Sequence, residues 1–250
     1  MFPESVPERE KWIEEQVLAC HFEAKWCEIV HNVSGREIKL SVMEDALKID
    51  GVRVNVSARL SQKLADIFDA SLPTPMVADM MFSSAIRKAS PCPQPISSTV
   101  NSMKKHSDAV DKQIGQGFGL ASTVGKHWVL DKKLESKNNL ACNYGWHFAG
   151  QSFQGISGSP AVSQIICPGV RVIQPNATAH DFMHSDYSQI CQLVNQTCWI
   201  DGVERRFSDV LKHPTDSQLI SHQGPLRIDR QPGTIPTVGQ YVMFPVVVDN

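Results

Sequence analysis

Ionisable and polar side chains crowd one short stretch of this 250-residue chain, residues 179–189. Its chemically competent members are His180, His184, Asp186, Tyr187 and Ser188. Upstream, an apolar run at residues 140–146 ends on His147. Imidazole and carboxylate groups are the usual carriers of proton transfer and metal binding near neutral pH. These two segments are therefore where we expect chemistry.

A histidine at a strand end and ionisable groups on a later segment can converge across neighbouring strands. We therefore predict a hydrolase that acts on a peptide or cell-wall-type substrate. His147 and His180 would act as general bases, with Asp186 as their orienting acid, and Ser188 is a further catalytic candidate. The same trio, His147, His180 and Asp186, could instead bind a divalent metal such as zinc. The predicted substrate contacts are Tyr144, Tyr187 and Lys126.

A second arrangement would use a different set of ligands. His184 and Asp186 have the His-x-Asp spacing of a facial metal triad, and His222 could supply the third ligand. Arg227 or Arg230 would then lie near enough to hold a carboxylate. This arrangement would suit an iron-dependent oxygenase.

A third arrangement would use a serine nucleophile. Residues 155–160, Gly-Ile-Ser-Gly-Ser-Pro, resemble the nucleophile loop of chymotrypsin-like serine proteases, which would make Ser157 the nucleophile. Those enzymes build two β-barrels, whereas the first half of this chain has helical patterning. A flexible Gly/Ser loop within residues 150–169 is the better interpretation.

A non-catalytic binding or structural module is the alternative from another functional class. Its polar cluster would form a hydrogen-bonded sheet edge, and the Gly/Ser loop would contact a partner. Alanine replacement of His147 and Asp186 would then change mainly the thermal stability.

Composition narrows the classes of partner and compartment. A net charge of -2 gives no electrostatic reason to expect nucleic acid or an acidic membrane as a partner, so we expect a small molecule or a peptide. No apolar run reaches membrane-spanning length, and the N-terminus lacks a charged-then-apolar leader. The seven cysteines are an odd, scattered set without Cys-x-x-Cys, which favours free thiols and the cytoplasm. Cys191 and Cys198 could bridge across a hairpin, but free thiols are the simpler interpretation.

Helix signals dominate the first half of the chain. Ser5 and Glu8 have capping-box spacing ahead of the first helix. Ser57 can cap a second helix, which Leu72-Pro-Thr-Pro ends. Further helices are predicted at residues 76–88 and 98–113. One hairpin is predicted at residues 37–56, with its turn at Asp50-Gly51.

Strand signals dominate the second half. Strands are predicted at residues 127–130, 140–146, 170–173, 190–194 and 240–248. Asp201-Gly202 marks a hairpin, and a short helix is predicted at residues 208–213. The layout predicts a single α+β domain over residues 1–250, in which a helical N-terminal half packs on a mainly antiparallel C-terminal sheet. A subdivision, if present, would fall near residues 91–118.

Several segments together resemble a family of uncharacterised bacterial proteins. The matching segments are Glu8-Arg-Glu, Leu72-Pro-Thr-Pro with Met76-Val77, Tyr144-Gly-Trp-His147, Ile173-Gln-Pro175, His180 with Asp186-Tyr-Ser188, and Gly224-Pro225. The resemblance favours His147, His180, Asp186 and Ser188 as site residues over His184 and His222, and it implies no particular reaction. The family pattern carries a histidine and a glycine after Asp-Tyr-Ser, where this chain has Gln189 and Ile190. If that histidine is the family's base, the resemblance implies an impaired member. Ser157 lies in an insertion outside the shared pattern.

Overall fold

A computed structural model describes residues 1–115, 117–148, 159–160 and 166–237. The described helices are α1 (Val6–Leu18), α2 (Ala58–Ile67), α3 (Pro75–Ser84), α4 (Val100–Ile114) and α5 (Phe207–Lys212). The described strands are β1 (Trp26–Val33), β2 (Arg36–Met43), β3 (Lys48–Ile49), β4 (Val52–Arg53), β5 (Ala70–Ser71), β6 (Arg87–Lys88), β7 (Ala121–Ser122), β8 (Lys126–Val129), β9 (Leu140–Phe148), β10 (Ser159–Pro160), β11 (Arg171–Asp181), β12 (Gln189–Ile190), β13 (Val194–Ile200) and β14 (Val203–Arg206). Two 3₁₀ turns lie at Lys132–Leu134 and Asp216–Leu219.

The strands form two larger sheets and two small ones. The first sheet has the order β1-β2-β13-β14, and β5 also pairs with β13. The second sheet has the order β10-β11-β9-β8-β12. The small sheets are β3-β4 and β6-β7. Pairing between described strands is antiparallel except at β8-β12 and β6-β7, which are parallel. The second sheet carries the residues singled out from the sequence.

The predicted division into a helical N-terminal half and a sheet-bearing C-terminal half is wrong. β1 and β2 come from the first fifth of the chain, yet they share the first sheet with β13 and β14. The helices are short and scattered along the chain, while strands dominate its second half. β1 was not predicted from the sequence, because its burial pattern does not alternate cleanly and Glu28 and His31 interrupt the apolar positions. Its strand form depends on full pairing with β2, from Trp26 opposite Met43 to Val33 opposite Arg36.

Several local predictions are confirmed. Ser57 caps α2 by accepting a hydrogen bond from the Leu60 amide at 3.2 Å. Thr74 and Thr99, which were not predicted as caps, cap α3 and α4 in the same way. The Asp201-Gly202 hairpin forms, and Asp50-Gly51 is a turn between β3 and β4. The predicted extent of the first hairpin, residues 37–56, is wrong, because residues 37–43 belong to β2, which pairs with β1 and β13. The capping box at Ser5 does not form, since the Ser5 side chain makes no cap hydrogen bond. The predicted strand at residues 240–248 lies outside the described residues.

One large hydrophobic cluster joins both ends of the chain. It extends from Phe2 to Leu226 and includes fully buried positions on β2, α2 and β13, such as Leu40, Leu64 and Val194. All seven cysteines are free thiols, so the Cys191–Cys198 bridge is not formed. Within the described ranges, no helix is both long enough and apolar enough to cross a bilayer.

Gly125 lies where β8 meets the segment before β12, and we expect the protein's stability to depend on the absence of a side chain there. A Cβ atom at this position would collide with the Ile190 side chain and lie 2.7 Å from the Ser188 carbonyl oxygen. We expect Gly125→Ala to lower the free energy of unfolding by about 1–3 kcal/mol, the usual cost of overpacking. Urea denaturation would measure it. Gly117→Ala is the matched control, since its Cβ would make only an ordinary contact with Arg87 at 3.5 Å. Equal stability of the two variants would contradict the close approach.

Candidate functional site

A left-handed kink in β9 divides the candidate residues between two sides of the second sheet. Gly145 has φ 125° and Trp146 has φ 58°, a conformation that costs a non-glycine residue about 1–3 kcal/mol. Thr123, also left-handed at φ 63°, donates its hydroxyl to the His147 carbonyl at 3.1 Å. The kink turns Tyr144 and His147 toward α3 and turns Trp146 toward α4.

On the α3 side lies a buried cluster that we call the Asp79 centre, formed by Asp79, Tyr144, His147 and His222. One Asp79 carboxylate oxygen accepts hydrogen bonds from the Tyr144 hydroxyl at 2.7 Å and from His147 Nε2 at 2.6 Å. The other oxygen lies 3.9 Å from His222 Nε2. Phe82 stacks on the His147 ring at 4.8 Å between centroids. Asp79 and His147 are 0% and 1% exposed, so the pair is fully enclosed.

Electrostatics keep Asp79 ionised despite its burial. Desolvation alone would raise the pKa of Asp79, but the hydrogen bonds from His147 and Tyr144 and the nearby His222 imidazole outweigh it, so the net pKa is lowered. Nearby, the Cys167 thiol donates to the Asp79 carbonyl at 3.1 Å. Burial raises the pKa of Cys167 to about 12, so this cysteine is a thiol and a poor nucleophile at neutral pH.

On the α4 side lies a second cluster, which we call the Asp186 site. Its side chains are His106, Lys126, Trp146, His180, His184 and Asp186. Lys126 Nζ lies 5.1 Å from the centroid of the Trp146 ring, and the His106 and Trp146 rings are 5.9 Å apart. His180 and His184 stack at 4.2 Å with only 6° between their planes. His180, His184 and Lys126 are half-buried, so this cluster is reached by solvent.

The residues after Asp186 hold its carboxylate in place. One carboxylate oxygen accepts hydrogen bonds from the Ser188 amide at 2.8 Å and the Ser188 hydroxyl at 2.6 Å. The other lies 3.8 Å from His184 Nε2, an ion-pair separation too long for a direct hydrogen bond. Burial opposes ionisation, but His184, Ser188 and the Lys126 charge lower the pKa of Asp186. Asp186 is therefore ionised throughout the neutral range.

His180 differs from a free histidine in how it titrates. Burial and the neighbouring His184 lower the pKa of His180, and Asp186 offsets part of that effect. Two imidazolium ions at 4.2 Å would repel each other strongly. His180 is therefore neutral near pH 7 and able to accept a proton.

The structure brings together part of the predicted set and separates the rest. His180, Asp186, Ser188 and Lys126 belong to one site, whereas His147 and Tyr144 belong to the Asp79 centre. His180 pairs with Ala141, six residues along β9 from His147, which is roughly 20 Å in an extended strand. The predicted metal set of His147, His180 and Asp186 is therefore not assembled, and the described residues contain no group of three metal-ligating side chains.

Two other predicted arrangements are the oxygenase triad and the serine nucleophile. His222 lies beside Asp79, away from His184 and Asp186, so the oxygenase triad is not formed. Ser157 lies outside the described residues.

Two further expectations about individual side chains change. In a regular strand Cys142 and His147, five residues apart, would lie on opposite faces. The kink places them on the same side, because Cys142 clusters with Ala78 and Tyr144. The Tyr187 hydroxyl donates to the Gln94 carbonyl at 3.0 Å and accepts from the Gln94 amide at 2.7 Å, so its predicted substrate contact is already occupied.

Sequence reasoning missed Asp79, His106 and Trp146. Asp79 sits in an apolar helix, and a lone acid among methionines at residues 76–82 was a usable signal. His106 looked like one polar residue on the mixed surface of α4, and nothing local marks it as buried at 1% exposure. Trp146 was assigned to the apolar strand, since a left-handed conformation at tryptophan has no sequence signature.

A cleft elsewhere on the protein is another candidate for a functional site. It has a volume of about 250 Å³ and includes Asp66, Asp69, Arg206 and Arg230 in its lining. These charges already pair, with Arg206 and Asp69 at 2.7 Å and Arg230 and Asp66 at 2.9 Å. The cleft therefore offers no acid or base for chemistry.

No protein-family model, curated protein or solved structure matches this chain.

The Asp79 centre generates a stability prediction. Asp79→Ala removes the acceptor for two buried donors, so we expect a loss of about 3–5 kcal/mol in the free energy of unfolding. Urea denaturation would measure it, with the exposed Asp108→Ala as control. A double-mutant cycle with His147→Ala should show that the two losses are strongly non-additive. Additive losses would show that the 2.6 Å contact contributes little.

Two buried histidines generate a pH prediction. Burial lowers the pKa of His106 to about 4 and of His127 to about 3. An unfolded histidine takes up its proton near pH 6.5, so between pH 6.5 and 4 the unfolded state binds more protons and stability falls as pH falls. Each histidine should contribute a slope of about 1.4 kcal/mol per pH unit in this window. We expect His106→Gln to reduce the slope measured by urea denaturation at several pH values. The exposed His21→Gln should keep the wild-type slope.

Proposed function

We propose that the protein is a hydrolase that works by acid–base catalysis at the Asp186 site. The observation that carries the proposal is the half-buried His180–His184 stack directly beside an ionised, buried Asp186. A neutral imidazole, a second imidazole and a fixed carboxylate are the groups that proton transfer to and from a carbonyl substrate requires. The substrate class is a peptide or a related cell-wall-type amide.

The roles follow from the positions of the side chains. Neutral His180 takes a proton from water as the water oxygen bonds to the substrate carbonyl carbon. The carbonyl electron pair moves to its oxygen. When the tetrahedral intermediate collapses, the scissile bond breaks and the His180 imidazolium returns its proton to the leaving nitrogen. The fixed Asp186 carboxylate favours the positive charge that develops on His180, and His184 stacks on the His180 ring.

Ser188 and Gln189 act by positioning Asp186. The Ser188 hydroxyl is buried and already donates to Asp186, so it is a poor nucleophile. Gln189 Oε1 accepts a hydrogen bond from the Asp186 amide at 2.5 Å. The resembling family carries a histidine near this position. In this chain the glutamine fixes the Asp186 backbone, and the base role falls to His180.

The metal-free version of the hydrolase is better supported than the metal-dependent one. The three predicted ligands are divided between two sides of the sheet, and no alternative group of three occurs among the residues described. Activity should therefore persist after treatment with EDTA. Loss of activity with EDTA, restored by zinc, would favour the metal-dependent version.

The activity test compares wild type with His180→Ala and Asp186→Asn on a panel of p-nitrophenyl esters and peptide p-nitroanilides. We expect both variants to lose about 10²-fold or more in kcat/KM, the usual contribution of a positioned acid–base group. Urea denaturation should show that both remain folded. His213→Ala is the matched control, because His213 and Asp216 form a similar pair at 3.4 Å on the surface.

The same panel separates the enzyme from a binding module. A wild-type protein that turns over none of the substrates would contradict the hydrolase. Variants that change the free energy of unfolding and leave turnover at the level of His213→Ala would also contradict the hydrolase.

The pH dependence of kcat/KM gives a further test. The loss of activity caused by protonation of His180 should occur below pH 6.5, because the pKa of His180 is lowered from its ordinary value.

A further inference from the structure

The charge on Lys126 is not neutralised at close range. Lys126 is half-buried, and no hydrogen bond or ion pair of its ammonium group occurs in the part of the chain that the structure describes. Asp186 acts on it electrostatically, but the Asp186 oxygens already face Ser188 and His184. Removing a cation from water without compensation is costly, so this position attracts an anion.

Buried nitrogen atoms around Lys126 also lack partners. Trp146 Nε1, His106 Nε2 and Gln189 Nε2 have no hydrogen-bond partner among the described residues, and Trp146 and His106 are 2% and 1% exposed. Buried polar atoms in native proteins nearly always have partners, and an indole N–H can only donate. An anion with two oxygen acceptors would satisfy these three nitrogens and the neighbouring cation better than isolated water molecules would.

Lys126, Trp146 and His106 lie next to one another because three elements converge there. Lys126 lies on β8, paired with Gly145 of β9 and with Gln189 of β12. The left-handed Trp146 brings its ring under the Lys126 ammonium and against His106 of α4. The Lys126 amide donates to the Ser188 carbonyl at 2.7 Å, and the Ser188 hydroxyl donates to Asp186, so the cation lies beside the Asp186 carboxylate.

We propose that the space between Lys126, Trp146 and His106 binds a carboxylate group of the substrate. This inference rests on the proposed hydrolase and narrows its substrate to peptides with a free C-terminal carboxylate, cleaved close to that end. A carboxylate fits better than a phosphate, because the nearby Asp186 charge opposes a dianion more strongly than a monoanion.

Binding can be tested without hydrolysis. The protein is labelled with ¹⁵N at tryptophan, and the indole N–H signals are followed by NMR, with Trp146→Phe assigning the Trp146 signal. N-acetylglycine should shift that signal in a saturable way. N-acetylglycinamide, which lacks the charge, should not shift it, and inorganic phosphate should bind more weakly than N-acetylglycine.

Substitution of Lys126 tests the cation directly. Lys126→Met keeps the aliphatic stem and removes the charge, so affinity for N-acetylglycine should fall at least about tenfold, the usual effect of a charge-assisted hydrogen bond. Lys126→Arg should retain part of the affinity. Lys105→Met, on the exposed side of α4, is the matched control and should bind like wild type. Urea denaturation checks that each variant is folded. If Lys126→Met does not fold, the Lys126→Arg and wild-type titrations still decide.

Several results would overturn the carboxylate site. They are no shift of the Trp146 signal with N-acetylglycine, equal shifts with the amide, tighter binding of phosphate, or wild-type affinity in Lys126→Met. A loss of kcat in Lys126→Met with unchanged N-acetylglycine binding would assign Lys126 to the reacting carbonyl oxygen instead. Failure of the hydrolase is distinguishable: His180→Ala should still bind N-acetylglycine, and a wild type that binds it without cleaving any substrate would retain the site and lose the proposed activity.

Discussion

The left-handed pair Gly145–Trp146 is the constraint on which the rest of this structure depends. In a regular strand Tyr144 and His147 would point to opposite faces, since side chains alternate. The kink turns both toward Asp79 and releases the Trp146 ring to the other side. Its conformational cost is offset locally by the Thr123–His147 hydrogen bond and by the packing of Trp146 against His106. One backbone irregularity therefore builds two polar clusters.

The two clusters differ in how completely their charges are compensated. Asp79 is fully buried, and its carboxylate faces a tyrosine and two histidines. Such an enclosed pair contributes mainly to the arrangement of α3 on the second sheet. Asp186 is held by Ser188, but His180, His184 and Lys126 around it remain half-buried. The uncompensated Lys126 and the unpartnered nitrogens make the Asp186 site the place where binding energy is still available.

Strain and unsatisfied polar atoms occur together around the Asp186 site. The left-handed Thr123 and Trp146, the crowded Gly125 and the unpartnered His106 and Trp146 nitrogens all lie on or beside β8 and β9. A protein core selected for stability alone would avoid these features, because each costs free energy. Their concentration at one end of one sheet is what a preorganised binding site requires, and the large hydrophobic cluster offsets their cost.

The sequence by itself determined the helix cap at Ser57, the Asp-Gly turns, and the grouping of His180, Asp186 and Ser188, because all of these depend on neighbours within a few residues. Only the tertiary structure decided that β1 and β2 join β13, that Asp79 meets His147 and that His106 reaches Trp146. Those contacts join residues about 40 to 160 positions apart. The sequence also placed His147 with His180, and the structure separated them, because the pairing of β9 with β11 sets His180 opposite Ala141, six residues from His147, and this register is decided between strands and not by local propensity.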